Sequence, residues 1–319
     1  MSFIEQLGGL ALWSRLRRLT ESLLPGVLQI YQEQEVRFEP RWFTVTYYLW
    51  KNGPARLTDI VKALGLSHPS VIQTVNQMEK EKIVERSSSE ADQRVTVVKL
   101  TMKGKKLCLN LEPLWEDIDQ AVRSLLREAC PDFLENLDSL EAALEDIDLY
   151  KRIRRAYVKR NAHHFSLAEY TGEDHHEFRA MNMSWLEETV GATEHDLKML
   201  SDPGKYILDR GGKIYMANVK EIPVGTFSLT PLDRRHGELS KLTVKREYRG
   251  LGLGSRLADQ AILRAKDAGF DTLLLLTHKA LKNATALYQN MGFRVVPAHP
   301  LLPDLSGRSS LTMQMIINP

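Results

Sequence analysis

Residues 248–257, YRGLGLGSRL, place three glycines (250, 252 and 254) close together and run directly into a helix-like sequence. Glycine inside regular structure costs about 0.5–1 kcal/mol relative to alanine. The run therefore marks a backbone that bends sharply or is approached closely. Three kinds of phosphate cradle use such glycines. A P-loop, G-x-x-x-x-G-K-[ST], needs a lysine that is missing from the required place. A dinucleotide fingerprint, G-x-G-x-x-G, fails because Ser255 and Leu257 stand where its last glycine belongs. What fits is a strand, GELSKLTV, turning through R-x-x-G-x-G into the helix SRLADQAILRAKDAG. Backbone N–H groups at that helix start then point at an anion, helped by the helix dipole. Arg249 adds charge at the rim. A close turn without any ligand is the alternative that these residues alone leave open.

A second set of residues suits a different ligand. RWFTVTYYLWKNG reads as an apolar helix closed by Gly53. LTDIVKALG starts at a capping Thr58, presents Ile60, Val61 and Leu64 on one face, and stops at Gly65. LSHPSVIQTVNQMEKEK follows at once, with Ser67 as N-cap and Pro69 in the first turn. Two short helices across a glycine turn form a helix-turn-helix pattern. Val71, Ile72, Val75 and Met78 pack inward; Ser70, Gln73, Thr74 and Gln77 face out, and their short polar groups can read base edges in a major groove. IVERSSSEADQRVTVVKLT then gives two strands around a polar loop. It reads as a wing whose Arg94 enters a minor groove or holds phosphate.

The elements that must position these groups differ along the chain. At 319 residues it is long enough for two domains. With 43% apolar and 26% charged residues its composition is that of an ordinary globular protein. The net charge of +2 gives no bulk preference for a polyanion, so any nucleic-acid surface is local. Before residue 160 the periodicity is helical, in LALWSRLRRLTESLLPGVLQIYQEQEV, LCLNLEPLWEDIDQAVRSLLREA and DFLENLDSLEAALEDIDLYKRIRRAYVKR. After it come short strand-like runs: KIYMANV, VGTFSLT, GELSKLTV, TLLLLT, FRVVP and LTMQMII. Helical segments, NATALYQNMG among them, separate some of these, which is the alternation of an α/β layer structure. The boundary is expected around KRNAHHFS. Residues 112–148 are acidic and 151–160 basic, both expected to line solvated helix faces.

Other chemistry is excluded or unpromising. Cys108 and Cys130 share no metal-ligand spacing with histidines and are expected as buried thiols of a reducing compartment. The pairs His163–His164 and His175–His176 also lack metal spacing, so solvated loops and no metal are expected. MSFIEQLGGL lacks a basic region before an apolar core, and no run approaches the roughly 18 apolar residues that span a bilayer. We expect a cytoplasmic protein with no membrane partner.

Residues 40–107 resemble the multiple-antibiotic-resistance regulator (MarR) family of dimeric winged-helix repressors. DQR at 92–94 matches that family's D-x-R wing motif, and LTMKGKKL its L-T-x-x-G exit from strand to helix. The resemblance implies that Asp92 braces the wing, that Arg94 contacts double-stranded operator DNA, and that flanking helices, about 5–30 and 105–155, interlock as a homodimer. Ser67, Ser70, Gln73, Thr74 and Gln77 lie on the implied recognition helix. Lys103, Lys105 and Lys106 follow the wing, but the recognition helix is itself short of basic residues, although phosphate neutralisation usually dominates affinity.

The second half resembles the GNAT superfamily of acyl-CoA-dependent N-acetyltransferases over about residues 165–319. The likeness rests on GELSKLTVKREYRGLGLG and, further on, L-Y-x-x-x-G-F at 287–293. The fold implied for the whole is a mainly α winged helix-turn-helix domain, 1–160, followed by an α/β GNAT domain with a mixed central sheet, 161–319. Acetyl-CoA would lie where two parallel strands splay apart. Backbone amides of Arg249, Gly250, Leu251, Gly252, Leu253, Gly254 and Ser255 would hold its pyrophosphate, and the main chain of Leu242 and Val244 its pantetheine arm. The Val244 N–H would polarise the thioester carbonyl. Glu238 stands where the superfamily often places a general base, acting through water, though a plain strand-edge charge is the alternative. Tyr288 matches its general acid, which protonates the departing thiolate. Many members carry asparagine seven residues before this tyrosine; here Leu281 stands there, with Asn283 two residues later. EFRAMNMSWLEETV (177–190) reads as the early helix pair over the acceptor pocket, which Asn182 and Trp185 could line, core packing being the expected job of Trp185.

Three functions follow. The chain is a DNA-binding dimer that also acetylates a small primary amine, amino-acid-like or toxic. Or it is a regulator whose acyltransferase fold senses acetyl-CoA or a metabolite without turnover. Or it is an enzyme that uses the winged helix only to dimerise. Glu238, Tyr288 and the glycine turn favour turnover, and Arg94 favours DNA.

Overall fold

The computed structural model describes residues 2–88, 96–302 and 310–317. The chain divides into two compact units, Met1–Asn136 and Leu137–Pro319.

In the first unit, α1 (Phe3–Gln6) and the long α2 (Leu12–Glu33) precede α3 (Phe43–Asn52). A short strand β1 (Ala55–Arg56) leads into α4 (Leu57–Leu64) and α5 (His68–Lys80). Strands β2 (Val84–Ser88) and β3 (Thr96–Leu100) pair antiparallel, Val84 opposite Leu100, and β1 adds to the far edge of β3. The helix α6 (Met102–Ala129) follows. This is the expected helix-turn-helix with the two strands of a wing. Gly65 at φ +62° makes the turn, and the Ser67 hydroxyl accepts the Ser70 N–H at 3.4 Å to cap α5. One expectation fails: α4 is not capped by Thr58. Pairing of Arg56 with Val97 holds Arg56 extended, so the helix begins at Leu57 and Thr58 falls inside its first turn, with no side-chain cap. Val71, Val75 and Met78 are fully buried beside Ile60, while Ile72 is only half-buried. The core around them is rich in aromatic rings, with the Trp115 indole N–H donating to the Tyr31 hydroxyl at 3.1 Å.

The division between units falls within α7 (Phe133–Asp146), after which comes α8 (Leu149–Arg160). The sequence pattern suggests one helix here, but the chain breaks at Ile147–Asp148. Asp148 caps α8 by accepting the Lys151 N–H at 2.8 Å, and Arg152 donates to the Ile147 carbonyl (2.8 Å) and to that of Ala143 (2.6 Å), which also accepts the Ile147 N–H at 3.2 Å.

The second unit continues with β4 (Phe165–Glu169), α9 (His175–Glu188), α10 (Glu194–Ser201), β5 (Lys213–Val219), β6 (Ile222–Pro231) and β7 (His236–Val244). Then come α11 (Leu253–Asp267), β8 (Thr272–His278), α12 (Lys282–Asn290), β9 (Arg294–Val296) and β10 (Ser310–Ile316). They build one sheet in the order β4-β5-β6-β7-β8-β10-β9, in which β7 and β8 run parallel and all other neighbours antiparallel. The expected mixed α/β sheet is present. One face packs on Leu253, Leu257 and Ala261 of α11, and the other on Phe178, Met181 and Leu186 of α9 and Leu200 of α10. Strand alternation divides the residues accordingly: Tyr215 and Ala217 face one cluster, Ile214 and Met216 the other.

Candidate functional site

The middle of the seven-stranded sheet is open. Among the described residues β7 and β8 pair only at His236–Thr272, Gly237–Leu273 and Glu238–Leu274. Beyond that, β7 stays with β6 as far as Val244, and β8 stays with β10 as far as His278. The two parallel strands thus part in a V with Glu238 at its apex. The Lys245 N–H donates to the Val224 carbonyl on β6 at 3.0 Å. Successive residues of a strand turn their N–H groups to opposite edges. Those of Val244 and Leu242 are therefore turned from β6 toward the edge that β8 has left.

The glycine turn closes the far end of β7. Gly250 and Gly252 both sit at φ +76°, a conformation that side chains disfavour, and Gly252 is the N-cap of α11. Gly254 needs no such allowance, and a Cβ there would meet nothing nearer than Leu287 Cδ2 at 3.9 Å. The protein itself gives no reason for this glycine. Helix geometry leaves the N–H groups of Leu253, Gly254 and Ser255 without intrahelical acceptors. Leu251 is half-buried against the core and Ser255 exposed. Arg249 is committed elsewhere than expected: its N–H goes to the Arg246 carbonyl, Nε to the Val244 carbonyl at 3.1 Å, and Nη1 to Glu188 at 2.7 Å.

Glu238 and Tyr288 approach the opening from opposite faces of the sheet. Leu239 and Tyr288 belong to the same apolar cluster, so alternation sends Glu238 to the other face. Desolvation pushes the Glu238 carboxyl up, against the pull of Lys241 and Arg210. Lys241 lies in a β-bulge at φ +54°, with its ammonium 3.4 Å from Asp196 and both side chains largely buried. Desolvation pulls that lysine down, and Glu238 opposes the shift. Two further pairs, Lys245–Glu177 and Arg249–Glu188, each 2.7 Å, join the β7 end of the chain to α9. Tyr288 is buried on α12, edge-on to Phe293, and its hydroxyl has no hydrogen-bond partner among the described residues. Burial pushes that hydroxyl up to about 12. One turn before it, Thr285 Oγ1 is buried without a partner among the described residues, as is Thr243 Oγ1 on β7. Asn283 is exposed. Asn182 is buried and donates to its own helix at Phe178 (2.8 Å), and Trp185 packs against the α9–α10 core.

In the first unit, Ser70, Gln73, Thr74 and Gln77 of α5 line one shallow cavity of about 290 Å³ with Arg41. Ser67, Ser70 and Gln73 are exposed, whereas Gln77 keeps a buried, unpartnered Oε1. Asp92 and Arg94 lie outside the described residues. Cys108 is buried and Cys130 exposed, contrary to the expectation of two buried thiols, and both are free. No helix among the described residues is long and apolar enough to cross a membrane.

Residues 174–293 match the model of the acetyltransferase (GNAT) family, and residues 40–96 that of the MarR family. Over 122 residues the chain is 31% identical to YvbK, an uncharacterized N-acetyltransferase of Bacillus subtilis, spanning 36% of this chain and 79% of that protein. The chain belongs to the GNAT acetyltransferase family. It is also 30% identical over 94 residues to human N-acetyltransferase 8B, spanning 28% of this chain and 41% of that protein. The chain thus spans less than half the length of that relative. A crystallised GNAT acetyltransferase from Staphylococcus aureus is 24% identical, with TM-score 0.44, covering 48% of this chain and 99% of that one.

The GNAT unit thus follows a MarR-family domain in one chain. Several residues around its opening were missed by sequence reasoning: Lys241, Asp196, Thr243 and Thr285. None of them left a local signal in the sequence, and the irregularity at Lys241 shows only in the packing. Leu239 and Leu242 pack on the same cluster although three residues apart, a slip of one from strict alternation, as a bulge produces.

Proposed function

We propose that the chain is both a transcriptional regulator and an enzyme: a homodimer that binds operator DNA and transfers the acetyl group of acetyl-CoA to a small primary amine. The observation that carries the enzymatic half is the parting of β7 from β8 at Glu238, which leaves a free strand edge leading to a turn of unfilled donors. The residues fit the coenzyme. Among the described residues, nothing fills the space at Gly254 or partners the hydroxyls of Thr243 and Thr285.

When bound, acetyl-CoA supplies an activated acetyl thioester. The main chain of Leu242 and Val244 holds the pantetheine arm, and the Val244 N–H donates to the thioester carbonyl. Arg249 fixes that segment by gripping the Val244 carbonyl. Amides from Gly250 to Ser255 hold the pyrophosphate. Glu238, its carboxyl raised above the ordinary carboxylate range by burial, takes a proton from the acceptor ammonium through water. Tyr288, kept protonated at neutral pH, returns one to the departing thiolate from the other face.

For the regulatory half, α5 presents Ser67, Ser70, Gln73, Thr74 and Gln77 to a major groove, and Arg94 reaches DNA from the wing. Dimerisation is supported by α2, where Leu12, Leu16, Leu19 and Leu23 form an apolar stripe with each residue at least 42% exposed. Functionally we assign residues 1–160 to DNA binding and dimerisation and 161–319 to acetyl transfer. Thiol release from acetyl-CoA with a panel of primary amines tests the enzyme; release with none of them leaves a sensor of acetyl-CoA as the surviving account. A gel shift on the upstream DNA tests the regulator. Arg94→Ala is expected to weaken binding about tenfold and to lower the salt dependence by about one phosphate; an unchanged shift contradicts the assignment.

A further inference from the structure

The turn after β7 is ringed by cations, and four of them already face carboxylates. Lys241 faces Asp196, Lys245 faces Glu177, Arg246 faces Asp146 at 2.8 Å, and Arg249 faces Glu188. Arg155 does not. It comes from α8, far upstream and outside the segment that matches the GNAT family model. Its Nη1 donates to the Glu247 carbonyl at 2.5 Å. Its Nη2 lies 3.7 Å from the point that a Cβ on Gly250 would occupy. The helix α8 packs against the short helical turn Arg246–Tyr248 that carries Glu247, and the Arg154 cation opposes the rise that burial gives the Tyr248 hydroxyl. Arg155 is half-buried and has no carboxylate partner among the described residues. A guanidinium has five donors, and withdrawing one from water without a counter-ion is unfavourable. The basic run 151–160, taken from composition as a solvated face, here holds a cation beside the glycine turn.

We propose that Arg155 is a coenzyme-binding residue, its guanidinium contacting a phosphate of acetyl-CoA at the Gly250–Gly252 turn. The proposal rests on the reading that acetyl-CoA occupies that turn. It makes the helix ahead of the GNAT segment part of the binding site.

Arg155→Gln removes the charge and keeps a donor for the Glu247 carbonyl. In calorimetry on the full chain it is expected to weaken acetyl-CoA binding about tenfold, or about 1.4 kcal/mol. Arg155→Lys recovers part of the loss. With S-acetylpantetheine, a donor without phosphates, kcat/KM of Arg155→Gln stays within about twofold of the parent, the loss being a phosphate contact. A third donor, acetyl-CoA without its 3′-phosphate, assigns the contact: a persisting loss places it on the pyrophosphate, a vanished loss on the 3′-phosphate. Unchanged acetyl-CoA affinity in Arg155→Gln overturns the proposal. So does an equal loss with S-acetylpantetheine, which a purely structural grip on Glu247 would give. Failure of the parent chain to bind acetyl-CoA sinks the underlying reading instead.

Discussion

Two glycines, each in the first turn of a long helix, are there for different reasons. A Cβ on Gly104 of α6 would lie 2.1 Å from the Ile83 carbonyl oxygen, whereas on Gly254 of α11 it would meet nothing within 3.4 Å. The helix starts differ to match. The Thr101 hydroxyl accepts the Gly104 N–H at 3.0 Å and donates to the Lys82 carbonyl at 2.7 Å, so α6 is closed by the protein itself. Gly252 offers α11 no side-chain cap. Two tyrosines repeat the contrast: the Tyr31 hydroxyl accepts from Trp115, while that of Tyr288, a buried residue, has no hydrogen-bond partner among the described residues. In the MarR-family unit these groups complete the fold. In the GNAT unit their counterparts are left for something else to complete.

The largest expected effect sharpens the tyrosine contrast. Tyr288→Phe should cut turnover by roughly a hundred- to ten-thousandfold, the usual range for one lost acid, while leaving the melting temperature in place. Equal turnover in a steady-state thiol assay would remove Tyr288 from the chemistry. Gly104→Ala forces a methyl onto a carbonyl oxygen and should destabilise the first unit by about 3 kcal/mol, the upper end for overpacking. Unfolding in denaturant measures this, and an unchanged midpoint would break the comparison at its other pole. Gly254→Ala should do the reverse. Alanine is favoured over glycine in a helix by about 0.5–1 kcal/mol, so the melting temperature holds or rises, while acetyl-CoA binding weakens at least about tenfold through the loss of one close main-chain contact.

The smallest effect is in the pH profile. Glu238 acts as a base only when ionised, so kcat/KM rises with pH through a carboxyl value displaced above the ordinary range, and Glu238→Gln flattens that limb. The stability consequence has a definite sign. Because the folded state raises this carboxyl, its favourable contribution is full below the unfolded value of about 4.3 and is lost as pH rises through the folded value. Melting temperatures of Glu238→Gln and the parent should therefore diverge in favour of the variant only on the alkaline side. Parallel curves would show that Glu238 is an ordinary exposed charge.

What the sequence disclosed follows from what each feature depends on. The strands β5 to β10, the two wing strands and the glycine turn depend on local periodicity and on backbone angles that few residues tolerate, and these were legible; the short β1 and the edge strand β4 (Phe165–Glu169) were not. The start of α4 was misplaced because the capping pattern at Thr58 lost to the pairing of Arg56 with Val97, a contact made by a distant strand. The break between α7 and α8 was hidden because the helical spacing of Leu140, Leu144, Ile147 and Tyr150 runs across it, although Asp148 favours an N-cap over a helix interior. Lys241–Asp196 and Arg155–Glu247 join residues far apart in the chain, and nothing local to either partner announces them. Arg249, read as rim charge, serves to hold Val244, because Glu188 of α9 reaches it.

The central claim is that unfilled main-chain donors between β7 and α11 grip a thioester coenzyme. Titration calorimetry of acetyl-CoA into the full chain tests it most directly. The account predicts saturable uptake, one molecule per chain, with a dissociation constant inside roughly the 1 μM–1 mM window typical of enzyme substrates. No heat of binding at millimolar coenzyme would contradict it and leave the open strand edge without a ligand.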